Sequence, residues 1–285
     1  MDAFAVVPAS EVVHQDWPVA CEHGTAALEK RIPLRWIQSL DSRPEQTPIF
    51  HEKNWRTTRP CFDGTPCFRA VRDDFATPEE LHELWRGIEP QYGRQNDNGE
   101  HFIGIQDSFF RRGLLPNITG RMARFLETEM GARGVVVSHT NSRGEWRFHS
   151  NLTRGREQAD GRRSQMQRGT YRGRRGHIDA ARPVEWHYTC LLYVGEHEPE
   201  RFAGGETVLV DTVDTRGHLV GGLVVEPRRG RLLAFTSGSE NVHTALEATY
   251  GYRGIMQIWF ACLPRKPAPV LGEKNKLKLE VELRR

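Results

Sequence analysis

Apolar residues recur at two different spacings along this chain, and the change of spacing divides it. In two segments, Thr77–Ile88 and Thr119–Gly131, they return every three or four positions, the period of a helix with one buried face. Thr77-Pro78-Glu79-Glu80 supplies an N-cap, a proline at the first helical position and a glutamate that reaches back to the cap, and Leu81, Leu84, Trp85 and Ile88 follow on one face. A second helix is expected from Thr119 through Met122, Phe125 and Leu126 to Gly131. Beyond it, short apolar runs alternate with turn residues: Gly134–Val137, Trp186–Val194, Gly204–Val210, Gly230–Thr236 and Gly254–Cys262. No helical pattern lies between those runs, so the expected class is mostly β with flanking helices, an antiparallel barrel or double sheet.

The remaining segments are expected to be peripheral. Residues 1–60 mix prolines, charges and three tryptophans (17, 36 and 55) without a clear period, and read as an extension wrapped on the barrel. One main domain is expected over 61–265, with a charged tail over 266–285. Between Arg154 and Arg175 lie eight arginines against only Glu157 and Asp160, in a glycine-containing stretch without apolar periodicity. That composition reads as a loop, either a solvated insertion or a substrate-gripping lid. With 40 basic and 37 acidic residues in 285 the net charge is only +3, which does not point to nucleic acid. The start lacks a basic region followed by a sustained apolar core, and no segment approaches a membrane span, so the expectation is a cytoplasmic protein. Five cysteines, with no C-x-x-C pair, read as thiols: Cys190 and Cys262 as buried strand residues, Cys61 and Cys67 as ends of a small loop if oxidised. The sequons at Asn117 and Asn151 have meaning only in a secreted protein.

Candidate chemistry sits among the strand-like runs. His177-x-Asp179 precedes the run at 186–194, and His243 follows the run ending at Thr236. Two imidazoles and one carboxylate, three ligands of mixed hardness, suit ferrous iron and leave coordination positions open for a cosubstrate and oxygen. Arg253, ten residues after His243, adds a fixed cation able to grip a carboxylate in a bidentate way.

The stretch Phe235-Thr236-Ser237-Gly238-Ser239-Glu240-Asn241-Val242-His243, with Arg253 and Ile258-Trp259-Phe260, resembles the last part of the prolyl 3-hydroxylase (leprecan) catalytic domain. Gly204-Gly205-Glu206-Thr207-Val208 is similar to the prolyl 4-hydroxylase group. The resemblance covers residues 134–264 and implies a double-stranded β-helix, or jelly roll, with Fe(II) held by His177, Asp179 and His243. It implies further that 2-oxoglutarate binds with its far carboxylate on Arg253, shared by the hydroxyl of Tyr193, which stands sixteen residues after the first ligand. The implied reaction consumes O2 and 2-oxoglutarate, with ascorbate as a helper, and hydroxylates an aliphatic C–H. Retention of Asp179 favours hydroxylation over halogenation, since related halogenases lack that carboxylate. A prolyl residue of a peptide or protein is the favoured substrate, with Trp259 packing beside the iron, and a small metabolite is the alternative. A nucleic-acid demethylase of the AlkB type is disfavoured, because that group has a second arginine where this chain has Trp259.

Overall fold

The computed structural model describes residues 4–21, 28–33, 66–88, 100–104, 113–137, 147–151, 187–195, 203–246, 248–250 and 253–262. Its larger sheet holds β2 (His14–Val19), β3 (Cys67–Arg72), β11 (Leu232–Thr236), β7 (Tyr188–Tyr193), β14 (Arg253–Cys262), β6 (Arg147–Asn151) and β4 (Glu100–Gly104) in that order. β5 (Val135–Val137) pairs with the far end of β14. The smaller sheet runs β1 (Phe4–Val7), β10 (Leu219–Val225), β9 (Thr207–Val213) and β12 (His243–Ala245). β8 (Ala203–Gly204) and β13 (Ala248–Tyr250) form a separate two-stranded piece. From β7 the chain crosses to the smaller sheet for β9 and β10, returns for β11, crosses again for β12 and returns for β14. That winding is a double-stranded β-helix.

Side chains alternate across each strand, so each residue's parity decides which of two cores it enters. Val71, Leu191, Tyr193, Leu233, Phe235 and Ile255 of the larger sheet meet Val7, Leu209, Leu223 and Val225 of the smaller one between the sheets. The opposite face of the larger sheet, with Ala70, Cys190, Leu192, Ala234, Met256 and Ile258, is covered by α1 (Pro78–Ile88) and α2 (Leu114–Thr128) through Leu81, Leu84, Ile118, Met122, Phe125 and Leu126. The helices therefore brace the sheet from outside and leave the inter-sheet space to chemistry.

α1 starts as its sequence predicts: Glu80 N–H donates to Thr77 Oγ1 and Thr77 N–H to Glu80 Oε2. α2 begins five residues before the expected Thr119, because Pro116 falls in its first turn, where no N–H partner is required. Two strands add residues of the N-terminal extension to the sheets: β1 pairs with β10 in parallel, and β2 forms an edge of the larger sheet, where Pro18 is tolerated.

The cysteine reading needs correction. Cys21 and Cys67 form a disulfide across 46 residues, rather than remaining thiols or joining Cys67 to Cys61. Val19 pairs with Cys67 in the β2/β3 register, so the strand pairing itself delivers Cys21 to its partner. Cys262 is also disulfide-bonded, which leaves Cys190 as the free buried cysteine among the described residues. No helix among those residues is long and apolar enough to cross a membrane.

Candidate active site

β9 organises the space between the sheets. Val208 and Val210 turn to the outer core with Leu28, Ile32 and Val242, while Leu209 enters the inter-sheet core. Thr207, Leu209 and Asp211 thus share the inward face. Each has a counterpart. The Thr207 and Tyr193 hydroxyls lie 2.6 Å apart, linking β9 to β7. Leu209 is the register partner of His243. Asp211 accepts a 2.7 Å bond from the guanidinium of Arg69 on β3. Two cross-sheet polar contacts therefore bracket the level of His243.

His243 is buried, and its ring edge meets Phe235 with centroids 4.8 Å apart. Its Nδ1 lies 3.0 Å from the carbonyl oxygen of Asn241. A carbonyl only accepts, so Nδ1 carries the proton and, in the neutral ring, Nε2 holds the lone pair. That is the tautomer a metal-ligating histidine needs. The larger sheet presents a matching row in which Arg69, Phe235, Thr189 and Trp259 stand opposite one another across β3, β11, β7 and β14. Trp259, the aromatic expected near the iron, is buried on the same row as the phenylalanine that touches His243.

Of the other residues singled out from the sequence, Tyr193 is fully buried. Arg253 opens β14 opposite Asn151; its side chain lies outside the description. Gly254 follows it where the chain has no room for more: its carbonyl accepts from Val194 N at 3.0 Å, and a Cβ there would meet the Trp85 ring at 3.0 Å. His177, Asp179, the arginine-rich stretch and the tail lie outside the described residues. Among the described residues, which include only one of the three expected ligands, no group of three His, Cys, Asp or Glu converges.

Neither Cys190 nor Tyr188 competes for a chemical role. Burial pushes the Cys190 thiol and the Tyr188 hydroxyl well above their ordinary values, and both side chains stand on the helix-covered face. Sequence reading passes over Thr207, Asp211, Asn241 and Arg69. Asn241 could have been noticed as an amide two residues before a histidine in a buried segment, whereas nothing in Cys67-Phe68-Arg69-Ala70-Val71 shows that its arginine points inward.

Residues 164–261 match the sequence profile of the 2OG-Fe(II) oxygenase superfamily. That stretch of the chain is similar to 2OG-Fe(II) oxygenases. The superfamily is one of dioxygenases, and the matched stretch contains His177, Asp179, His243, Arg253 and Tyr193. "2-Oxoglutarate and iron-dependent oxygenase domain-containing protein 3" of Xenopus tropicalis is 40% identical over 88 residues, 31% of this chain and 25% of that protein. The human protein of the same name is 35% identical over 88 residues. The match thus spans about a quarter of the length of those relatives. Among solved structures, a Pseudomonas putida prolyl-4-hydroxylase aligns at TM-score 0.44 and 18% identity, over 69% of this chain and 93% of that one.

Proposed function

We propose that this chain is an iron- and 2-oxoglutarate-dependent oxygenase that hydroxylates an aliphatic C–H, with a prolyl residue of a peptide or protein as substrate. The observation that carries the reading is the buried imidazole of His243, its Nδ1 proton given to a backbone carbonyl, inside a double-stranded β-helix whose sequence matches the oxygenase profile. In this reading His177, Asp179 and His243 hold ferrous iron, and Arg253 with Tyr193 holds the far carboxylate of 2-oxoglutarate. Iron and 2-oxoglutarate held there would supply the activation of O2, 2-oxoglutarate being converted to succinate and carbon dioxide.

The chain's own part is positioning. Asn241 fixes the ring of His243, Thr207 holds the Tyr193 hydroxyl, and Leu191, Leu209, Leu233 and Phe235 supply an apolar wall between the sheets that keeps water out. The prolyl substrate rests on the likeness of Phe235–Phe260 to prolyl 3-hydroxylases, and on Trp259, a flat apolar surface on the row nearest His243. The protein should be incubated with proline-rich peptides, ferrous iron, 2-oxoglutarate and ascorbate, and the products weighed. One oxygen gained on proline is the expected result. Oxygen gained only by a free metabolite or a methylated nucleobase contradicts the substrate, and no succinate with any substrate contradicts the oxygenase.

A further inference from the structure

We infer that Arg69 and Asn241 form a cross-sheet clamp that positions His243 for metal binding, in which Arg69 comes from the part of the chain that precedes the oxygenase match and Asn241 from within it. The inference rests on the reading of His243 as a metal ligand and names residues that act on it from outside the coordination sphere.

Asn241 ends the short 3-10 turn Ser239–Asn241 and is fully buried. Its carbonyl receives the Nδ1 proton of His243. Its side chain faces the other sheet: the amide nitrogen donates to Thr236 O and Thr236 Oγ1, each at 2.9 Å, and to Phe68 O at 3.2 Å. Its amide oxygen accepts from Arg69 Nε at 2.7 Å. One residue thus joins β3 and β11 of the larger sheet to the first residue of β12 in the smaller.

Arg69 makes the joint rigid. Only 3% exposed, it donates through Nη2 to Asp211 Oδ1 at 2.7 Å and to Glu240 O at 3.1 Å, besides its bond to Asn241. Asp211 lies on β9, the strand paired with β12. Arg31 adds a bond from its own guanidinium to the Asp211 carbonyl at 2.6 Å. A planar guanidinium can bridge a side-chain amide, a carboxylate and a carbonyl at once in fixed directions, which an ammonium cannot. Burying so polar a group is tolerated only where it is well satisfied, and here its partners, on β9 and in the 3-10 turn, are those that set the carbonyl facing His243.

The consequence is specific. Loosening the clamp should free the Asn241 carbonyl, let the imidazole exchange its proton between Nδ1 and Nε2, and weaken metal binding by roughly ten- to a hundredfold, the usual effect of losing a partner that orients a metal ligand. A residue that merely supports folding would lower the melting temperature without touching the tautomer.

Arg69→Lys, Asp211→Asn and Asn241→Ser test this, with Arg72→Lys as a control on the same strand, since Arg72 pairs with Asp16 and Glu129 and lies over the Phe125 ring, on the helix-covered face of the sheet. Metal-free protein is examined by nitrogen-15 NMR of the histidine rings and by melting, then titrated with ferrous iron without oxygen. Expected is a single Nδ1–H tautomer for His243 in the unaltered protein and in Arg72→Lys. Mixed tautomers and at least about tenfold weaker iron binding are expected in Arg69→Lys and Asn241→Ser, with a smaller loss in Asp211→Asn. Should Asn241→Ser fail to fold, the two milder variants decide. An unchanged tautomer with unchanged iron affinity in folded Arg69→Lys overturns the clamp. Mixed tautomers in a protein that binds no iron at all would support the clamp and overturn the metal reading instead.

Discussion

Tyr193 and Thr207 share a hydrogen bond inside the sheets, so removing either hydroxyl leaves the other without it. Tyr193→Phe keeps the ring and is expected to cost about 1 kcal/mol of stability, the net worth of an ordinary buried hydrogen bond. It should raise the KM for 2-oxoglutarate several-fold while leaving iron affinity unchanged. Arg253→Ala should raise that KM far more, since a charge-assisted partner lost from a partly dry pocket is worth roughly 2 to 5 kcal/mol. Steady-state kinetics beside an iron titration separates the effects, and equal loss of both affinities would contradict the assigned roles. At this scale the sequence is legible where chemistry leaves a rigid spacing. His243 and Tyr193 are singled out that way, and the structure places both in the inter-sheet space. Arg69 is not, because an arginine in a strand faces solvent or core according to strand parity, and parity is set by a register with residues more than 150 positions away.

The helices and strands show where local signals suffice and where they do not. The capping box of α1 is readable in four residues, and the structure forms it. β10 has no such signal: its two glycines interrupt the apolar run, yet Gly222 sits at φ 149° in a bulge, where a Cβ would collide with the Leu209 carbonyl. Glu80 also ties α1 to α2, with both carboxylate oxygens 2.7 Å from the guanidinium of Arg121. Arg121, joined by the Thr77 N–H and opposed by partial burial, holds the Glu80 carboxyl below the usual carboxylate range. A depressed folded value means that the stabilisation is present above the unfolded carboxylate value and is lost as pH falls through the folded one. Glu80→Ala should therefore cost roughly 1 to 2 kcal/mol at neutral pH by removing the cap and the pair together. Denaturant unfolding from pH 7 to pH 3 should show the variant's deficit shrinking as the pH falls, and a deficit independent of pH would contradict the account.

Across the whole molecule, the N-terminal residues are bound to the barrel by contacts no local pattern announces. Arg231, fully buried, pairs with both oxygens of Asp73 and donates to the carbonyls of Pro8 and Glu11. Asp73→Ala leaves that guanidinium buried without its counter-charge and should cost about 3 to 5 kcal/mol by chemical denaturation. The Cys21–Cys67 disulfide closes a 46-residue separation, so the paired Cys21→Ser and Cys67→Ser exchange should lower stability by up to about 4 kcal/mol. A protein equally stable without it would show that β2 docks through its strand pairing alone. Such contacts escape sequence reading because both partners are needed to see either: Cys67 looks toward Cys61 until β2 is known to lie beside β3. The central claim is that His243 is one ligand of an iron site that also binds 2-oxoglutarate. Oxygen-free titration of ferrous iron and 2-oxoglutarate, followed by visible absorption, tests it most directly. A charge-transfer band saturating at one iron per chain and absent in His243→Ala is the predicted result; the same band in His243→Ala, or none in the unaltered protein, would contradict it.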